Sequence, residues 1–204
     1  MYRIAVVTCS TRSPRLNPFV TQSVYDLLGS DHTDATFALL DLAEQSLPLY
    51  DEPAVPSQLP RDDPTPHYTH EHTQKWSATA KQFDAFIFVT PQYNWSVPAS
   101  LKNALDYLYH EWSGKPAAVV TYGVRGGGRA GGHLRQILMG LRMNVAPTAP
   151  ELVIDKKSME RSMPLGKMSP EDAERWEAAG LGVELGKVLQ EILELLKEGK
   201  KPEY

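Results

Sequence analysis

Residues 91–106 read Pro-Gln-Tyr-Asn-Trp-Ser-Val-Pro-Ala-Ser-Leu-Lys-Asn-Ala-Leu-Asp, directly after the apolar run 85–90. Within that stretch Gln92, Tyr93, Asn94 and Trp95 place an amide, a phenol, a second amide and an indole side by side. Such a row suits a flat ligand that both stacks and hydrogen-bonds. The run before it reads as a buried strand, and Pro98 opens a helix. In an open α/β sheet, ligands bind beyond the carboxyl ends of the strands. A polar, aromatic loop leaving a strand tip stands where such chemistry is expected. The alternative is a strand-to-helix turn whose aromatics only cover the core.

Two further loops carry candidate chemistry. The first is Cys9-Ser10-Thr11-Arg12-Ser13-Pro14-Arg15-Leu16-Asn17. Hydroxyls and two arginines meet a helix start there, where backbone N–H groups and the helix dipole favour a phosphate. Arginine adds charge-assisted bonds to such a group. A solvated turn with a good N-cap is the plainer reading. The segment lacks Gly-x-Gly-x-x-Gly and Gly-x-x-x-x-Gly-Lys-Ser/Thr, which argues against a dinucleotide fingerprint and a nucleotide P-loop. The other loop covers residues 122–132, with Gly123, Gly126, Gly127, Gly128, Gly131 and Gly132. Glycines let a backbone approach a ligand closely. Arg125 and Arg129 are either solvated charges or receivers of a pyridine-nucleotide phosphate.

The elements that must position these loops alternate between strand and helix, which predicts a parallel sheet with helices on both faces. The strands are expected over 2–8, 35–42, 85–90 and 117–121. A weak fifth lies near 143–146 or near 152–154. Asn17 reads as an N-cap with Pro18 at the first helical position, followed by Val20, Val24, Leu27 and Leu28 at helical spacing. Further helices are expected over 70–81, after Pro98 (Leu101, Ala104, Leu105 and Leu108 inward), and after the glycine loop (Leu134, Ile137, Leu138, Leu141). The proline-rich stretch 47–66 reads as a long surface loop, and 155–168 as irregular. Ser169 and Pro170 cap one final helix, with Glu171 and Asp172 in its first turn. Its apolar face is Leu185, Val188, Leu189, Ile192 and Leu196, and Gly199 and Pro202 stop it.

Composition narrows the function classes. The chain has 204 residues, 42% hydrophobic and 23% charged, enough for a single domain over 1–204 with a sizeable core. A net charge of -4 leaves no basic footprint for nucleic acid. The single cysteine, Cys9, excludes an intrachain disulfide and fits a reducing, cytoplasmic setting. Cys9 sits near a helix start, which can lower a thiol pKa, but a small buried residue at a strand end is the preferred reading. No apolar run is long enough to cross a bilayer, and the N-terminus enters a strand pattern directly, unlike a signal peptide. His67, His70 and His72 do not have a usual zinc spacing and read as surface histidines, so no metal is expected. Met159 and Met168 read as core or interface filler that also suits a pocket at a subunit boundary. The charges over 184–201 read as the solvated face of an amphipathic helix.

Taken together, the three loops resemble the NADPH-dependent FMN reductase family, the flavodoxin-like group that includes quinone and azo-dye reductases. The resemblance rests on Ser10-Thr11-Arg12, on Pro91-Gln92-Tyr93-Asn94 with Pro98 and Leu101-Lys102-Asn103-Ala104-Leu105-Asp106, and on Thr121-Tyr122-Gly123 with Gly126-Gly127-Gly128. It covers residues 2–145. At Cys9 the chain departs from the glycine that is common there. The resemblance implies a flavodoxin-like three-layer α/β sandwich with a five-stranded parallel sheet in the order 2-1-3-4-5. It implies bound FMN, with its phosphate at Ser10, Arg12 and Asn17. The isoalloxazine would lie against Pro91, Gln92, Tyr93 and Asn94 and the turn Thr121, Tyr122, Gly123, with Gly126 beyond. The implied activity is ping-pong hydride transfer from NADPH or NADH through flavin N5 to quinones, free flavin or other small aromatic acceptors. No side-chain catalyst is then needed. The family is usually dimeric, with a tetramer as the alternative. A non-enzymatic FMN-binding electron carrier or redox-sensing partner protein is the competing reading.

Overall fold

The apolar runs become strands in a computed structural model that describes residues 1–29 and 33–199. β1 (Tyr2–Thr8), β2 (Ala35–Asp41), β3 (Ala85–Pro91) and β4 (Pro116–Gly123) form a parallel sheet, with β5 (Asn144–Val145) and β6 (Glu151–Val153) beside β4. The order is β2-β1-β3-β4-β5, as the resemblance implied. The register aligns Val6 with Leu39 on one side and Ile87 on the other, and Phe88 with Val119. A parallel sheet of this kind is covered on both faces, so its central strands read as unbroken apolar runs. All seven residues of β3 are accordingly buried.

Side chains alternate across the sheet and feed two cores. Ile4, Val6, Ile87, Val89, Val120 and Tyr122 pack with α1 (Asn17–Leu28) and the C-terminal helices. Phe86, Phe88 and Val119 pack on the opposite face with α2 (Glu71–Lys81), α3 (Ala99–Asp106) and α4 (Gly128–Gly140). Leu101, Ala104, Leu105 and Leu108 are buried there, as their spacing predicts. Trp112 closes that core, edge-on to Phe86 at 5.0 Å between ring centroids.

Several elements differ from the sequence reading. Both candidate fifth strands exist: β5 pairs with Pro116 and Ala117, β6 with Thr121–Gly123. Pro147 and Pro150 between them lack the N–H needed to continue a ladder, which divides the edge in two. The stretch 155–168 is not irregular throughout but holds α5 (Ser158–Ser162) and a 3-10 turn over Met163–Leu165. The single final helix is two, α6 (Pro170–Ala178) and α7 (Leu181–Glu198). Gly180, at φ 83°, ends one and starts the other, because a left-handed residue cannot continue a right-handed helix. Ser169 does cap α6, accepting from the Asp172 N–H. Gly199 ends α7 at φ 58°, and Pro202 lies outside the described residues. The long loop 47–66 holds one 3-10 turn, Pro56–Gln58, and part of a second, Thr65–His67.

Candidate functional site

The loop after β1 is organised by Asn17. This residue is not the N-cap; Leu16 is, without a side-chain cap. The Asn17 side chain is fully buried, accepting from the Ser10 N–H at 2.6 Å and donating to the Val89 C=O at 3.0 Å. The Ser10 N–H, which would otherwise be buried without a partner, is thereby satisfied, and the Val89 C=O gains a second donor beside the Cys9 N–H at 3.3 Å. Arg15 fastens the loop's other end with a paired contact to Asp41 at 2.7 and 2.8 Å, and it also donates to the Ser10 C=O. Arg12 is different. Its guanidinium is exposed and has no hydrogen-bond or ion-pair partner among the described residues. Cys9 is buried, and burial, reinforced by the Asp41 charge, pushes its thiol pKa well up. It stays protonated and donates to the Val7 C=O, a packed residue and not a nucleophile.

The loop after β3 is a two-residue hairpin. Tyr93 and Ser96 exchange backbone hydrogen bonds at 2.9 Å each, with Asn94 and Trp95 at φ 48° and 68° between them. Two successive positive φ values fit a type I′ turn, which Asn suits and Trp does not. The strain at Trp95 is offset by Arg129, whose guanidinium lies 3.8 Å from the centre of the indole ring. The Ser96 hydroxyl also meets His133 Nδ1 at 2.7 Å. Nearer the sheet, the Gln92 N–H donates to the Tyr122 C=O and its Oε1 accepts from the Ala130 N–H. The Tyr93 hydroxyl sits 2.9 Å from the Ser10 hydroxyl. That contact joins the first and second loops directly.

The glycine loop after β4 serves packing more than open access. A side chain at Gly126 would stand 2.8 Å from Glu151 Cβ, and one at Gly128 would collide with the Glu151 carboxylate. Gly127, at φ 95°, abuts Thr121. The Glu151 carboxylate therefore lies against the start of α4, where the helix dipole favours an anion. The Thr121 hydroxyl donates to the Gly126 C=O at 2.9 Å. Burial, with Tyr93 and Cys9 adding, pushes the Tyr122 phenol well above its ordinary pKa and keeps it protonated.

The three loops meet at the carboxyl edge of the sheet around a cavity of about 190 Å³. Arg12, Arg15 and Leu16 line it from the first loop, and Pro91, Gln92 and Tyr93 from the second. Tyr122, Gly123 and Val124 add the third side, and Ile154 and Met159 close it. Of the residues singled out from sequence, Arg12, Pro91, Gln92, Tyr93, Tyr122 and Gly123 share this cavity. Ser10 reaches it through Tyr93. Asn17, Thr121 and Gly126 stand behind it as buried braces, and Asn94 is exposed at the hairpin tip. Leu16, Val124 and Ile154 gave no sequence signal, being ordinary apolar residues next to loops. Met159 had one: a methionine in a stretch suited to lining a pocket. A larger hollow of about 410 Å³, by Tyr25, Asp26 and Phe37, is lined by Ala35 at the amino end of β2, away from these loops.

Among the described residues, no group of three or more His, Cys, Asp or Glu side chains could hold a metal ion. His70 and His72 stack at 5.1 Å and both face Asp51. No described helix is long and apolar enough to cross a membrane.

Residues 2–157, which contain all three loops, match the family described as NADPH-dependent FMN reductase. An NAD(P)H-dependent FMN reductase of Nectria sp is 38% identical over 204 residues, spanning 98% of this chain and 100% of that protein. A quinone reductase of Pseudomonas putida is 35% identical over 150 residues, 70% of this chain and 73% of that one. Among solved structures, a flavoenzyme NAD(P)H:(acceptor) oxidoreductase from Paracoccus denitrificans superposes with a TM-score of 0.63 at 22% identity, covering 94% of this chain and 99% of its own. That likeness speaks for the flavodoxin-like fold, whereas the match along residues 2–157 and the relative spanning the whole chain speak for kinship: the chain belongs to the NADPH-dependent FMN reductase family.

Proposed function

We propose that this protein is an FMN-dependent NAD(P)H oxidoreductase that passes electrons to quinones, free flavin or related small aromatic acceptors. The observation that carries the reading is the pairing, in one cavity, of the unpartnered Arg12 guanidinium with a wall of Tyr93, Tyr122, Leu16 and Met159. A phosphate suits the guanidinium, and a flat ring suits the aromatic and apolar wall. The chemistry a bound flavin supplies is two-electron transfer between a nicotinamide donor and an acceptor.

The chain's own residues bind and orient. Arg12, with the Ser10 hydroxyl nearby, holds the phosphate. Asn17 keeps Ser10 in place instead of touching the ligand. Pro91, Gln92, Tyr93, Tyr122 and Gly123 form the shelf for the ring, and the Thr121–Gly126 bond keeps the third loop from drifting. Backbone N–H groups of the Gly123 turn stabilise negative charge on the ring, as preorganised donors do. The neutral Tyr122 adds no competing charge.

The protein works as a homodimer in the cytoplasm. Bearing on the dimer, Leu49 is 85% exposed on a loop held by Asn103, which accepts from the Tyr50 N–H and donates to the Pro48 C=O. A subunit contact would cover this side chain. Sedimentation of the purified protein checks this: a mass of one chain at micromolar concentration contradicts it.

The decisive experiment is anaerobic. The FMN-loaded protein is mixed with NADPH or NADH, flavin absorbance is followed, and a quinone is then added. Rapid bleaching followed by quinone-dependent recovery is expected. Stable FMN binding with no bleaching by either nucleotide would leave an electron carrier as the better reading.

A further inference from the structure

The cavity has a wall that the three loops do not supply. Ile154 and Met159 form it, from the chain that follows β6. α5, which carries Met159, has only five residues, far too few to persist alone in water. Something else must hold it.

The holding device is an ion-pair and hydroxyl cluster. Asp172, with no exposed side-chain surface, accepts from Ser158 at 2.8 Å, from Arg175 at 2.5 Å and from Arg161 at 3.2 Å. Arg161 and Arg175 both reach across to Asp155 as well, at 2.8 and 3.1 Å. The Asp155 N–H in turn donates to the Ser158 hydroxyl at 2.9 Å. Ser158, the residue before Met159, is thus fixed from two sides and fully buried. The next side chain in the helix is thereby aimed at the cavity. Methionine there offers a polarizable thioether, which packs well against aromatic rings. On this side the wall carries no charge, while the cavity's unpartnered cation, Arg12, belongs to the first loop.

We propose that Met159 is a ring-contact residue for the flavin and that the Asp155–Arg161–Asp172–Arg175 cluster is its positioning clamp. This rests on the FMN reading above and adds a specific division of labour. Arg12 recognises the phosphate, and Met159 recognises the tricycle irrespective of phosphate.

The test uses the full-length apo protein and two probes, FMN and riboflavin, followed by quenching of flavin fluorescence. Riboflavin lacks the phosphate, so the two ends separate. Met159→Ala should weaken both probes by the same factor, roughly three- to tenfold from the thioether–ring contact. Met159→Leu, which keeps the bulk but lacks the thioether, should restore only part of that loss. Arg161→Gln should weaken both probes while Met159 is intact, with thermal melts confirming that each variant is folded. Arg12→Ala should weaken FMN alone. Unchanged riboflavin affinity in Met159→Ala, or a loss seen only with FMN, overturns the ring-contact role. Unchanged affinity in Arg161→Gln overturns the clamp. Failure of the wild-type chain to bind either probe overturns the FMN reading itself, a result distinct from the others.

Discussion

Two arginines three positions apart have separate duties at the residue scale. Arg15 is engaged by Asp41 and Ser10, while Arg12 has no such partner. Both were legible as phosphate candidates. What separated them was Asp41, at the end of a neighbouring strand and 26 positions distant in sequence. Arg12→Ala should weaken FMN binding by about ten- to a hundredfold, since bonds to a charged group are worth roughly 1.5–3 kcal/mol. Thermal stability should stay near wild type, and a fluorescence titration checks both points when paired with a melt. Asn17 teaches the opposite lesson. Its place before a proline suggested a cap, but its amide serves the Ser10 and Val89 backbone instead. No local pattern reveals a partner 72 positions away.

At the scale of elements, strands and the helices that pack on them were legible because their periodicity is local. The departures over residues 144–165 share one cause. Short elements such as α5 and β6 carry too few residues for a period, and the contacts that stabilise them are tertiary. The α5 arm therefore has its own pH signature. Hydrogen bonding from Arg161, then from the Lys157 N–H, holds the Asp155 carboxyl down at about 2. Burial pushes Asp172 up, but the bonds from Ser158, Ser169 and the two arginines outweigh it and its pKa is lowered too. A carboxyl depressed in the folded state contributes stability above its unfolded value near 3.9, lost as pH falls through the folded value. The arm should accordingly loosen between about pH 4 and pH 2. Trp176, buried and bonded to the Val153 C=O, reports on it through near-ultraviolet circular dichroism. In Asp155→Asn that acid step should shrink; a step of unchanged size would assign it elsewhere.

For the whole molecule, a continuous sheet with a core on each face predicts a single unfolding transition. Its alkaline limit follows from groups buried in those cores. Burial lowers Lys115 to about 8, with Nζ donating to the Ala80 C=O. A lysine depressed in the folded state binds fewer protons there than when unfolded. Its contribution to stability thus rises between about pH 8 and 10.4, the ordinary lysine value. The tyrosines act oppositely. Burial raises Tyr68, Tyr107 and Tyr122 in the folded state, so their stabilisation is complete below about pH 10 and is lost above it. Denaturant melts across this range should show a rise, then a fall. Lys115→Met should flatten the rise and leave the fall; a profile identical to wild type would exclude Lys115 as its source.

From the sequence by itself came the alternation of strand and helix, the three loops and their chemical character, since apolar periodicity and residue type are properties of neighbours along the chain. Which of those residues face a common cavity was decided by the tertiary structure. Asp41 had to neutralise one arginine, Asn17 had to turn inward, and Glu151 had to fill the glycine run. A five-residue helix had to be held in place for Met159 to line the cavity. Each outcome depends on charges and hydrogen-bond partners that meet only when distant segments are packed, and such meetings leave no period to read.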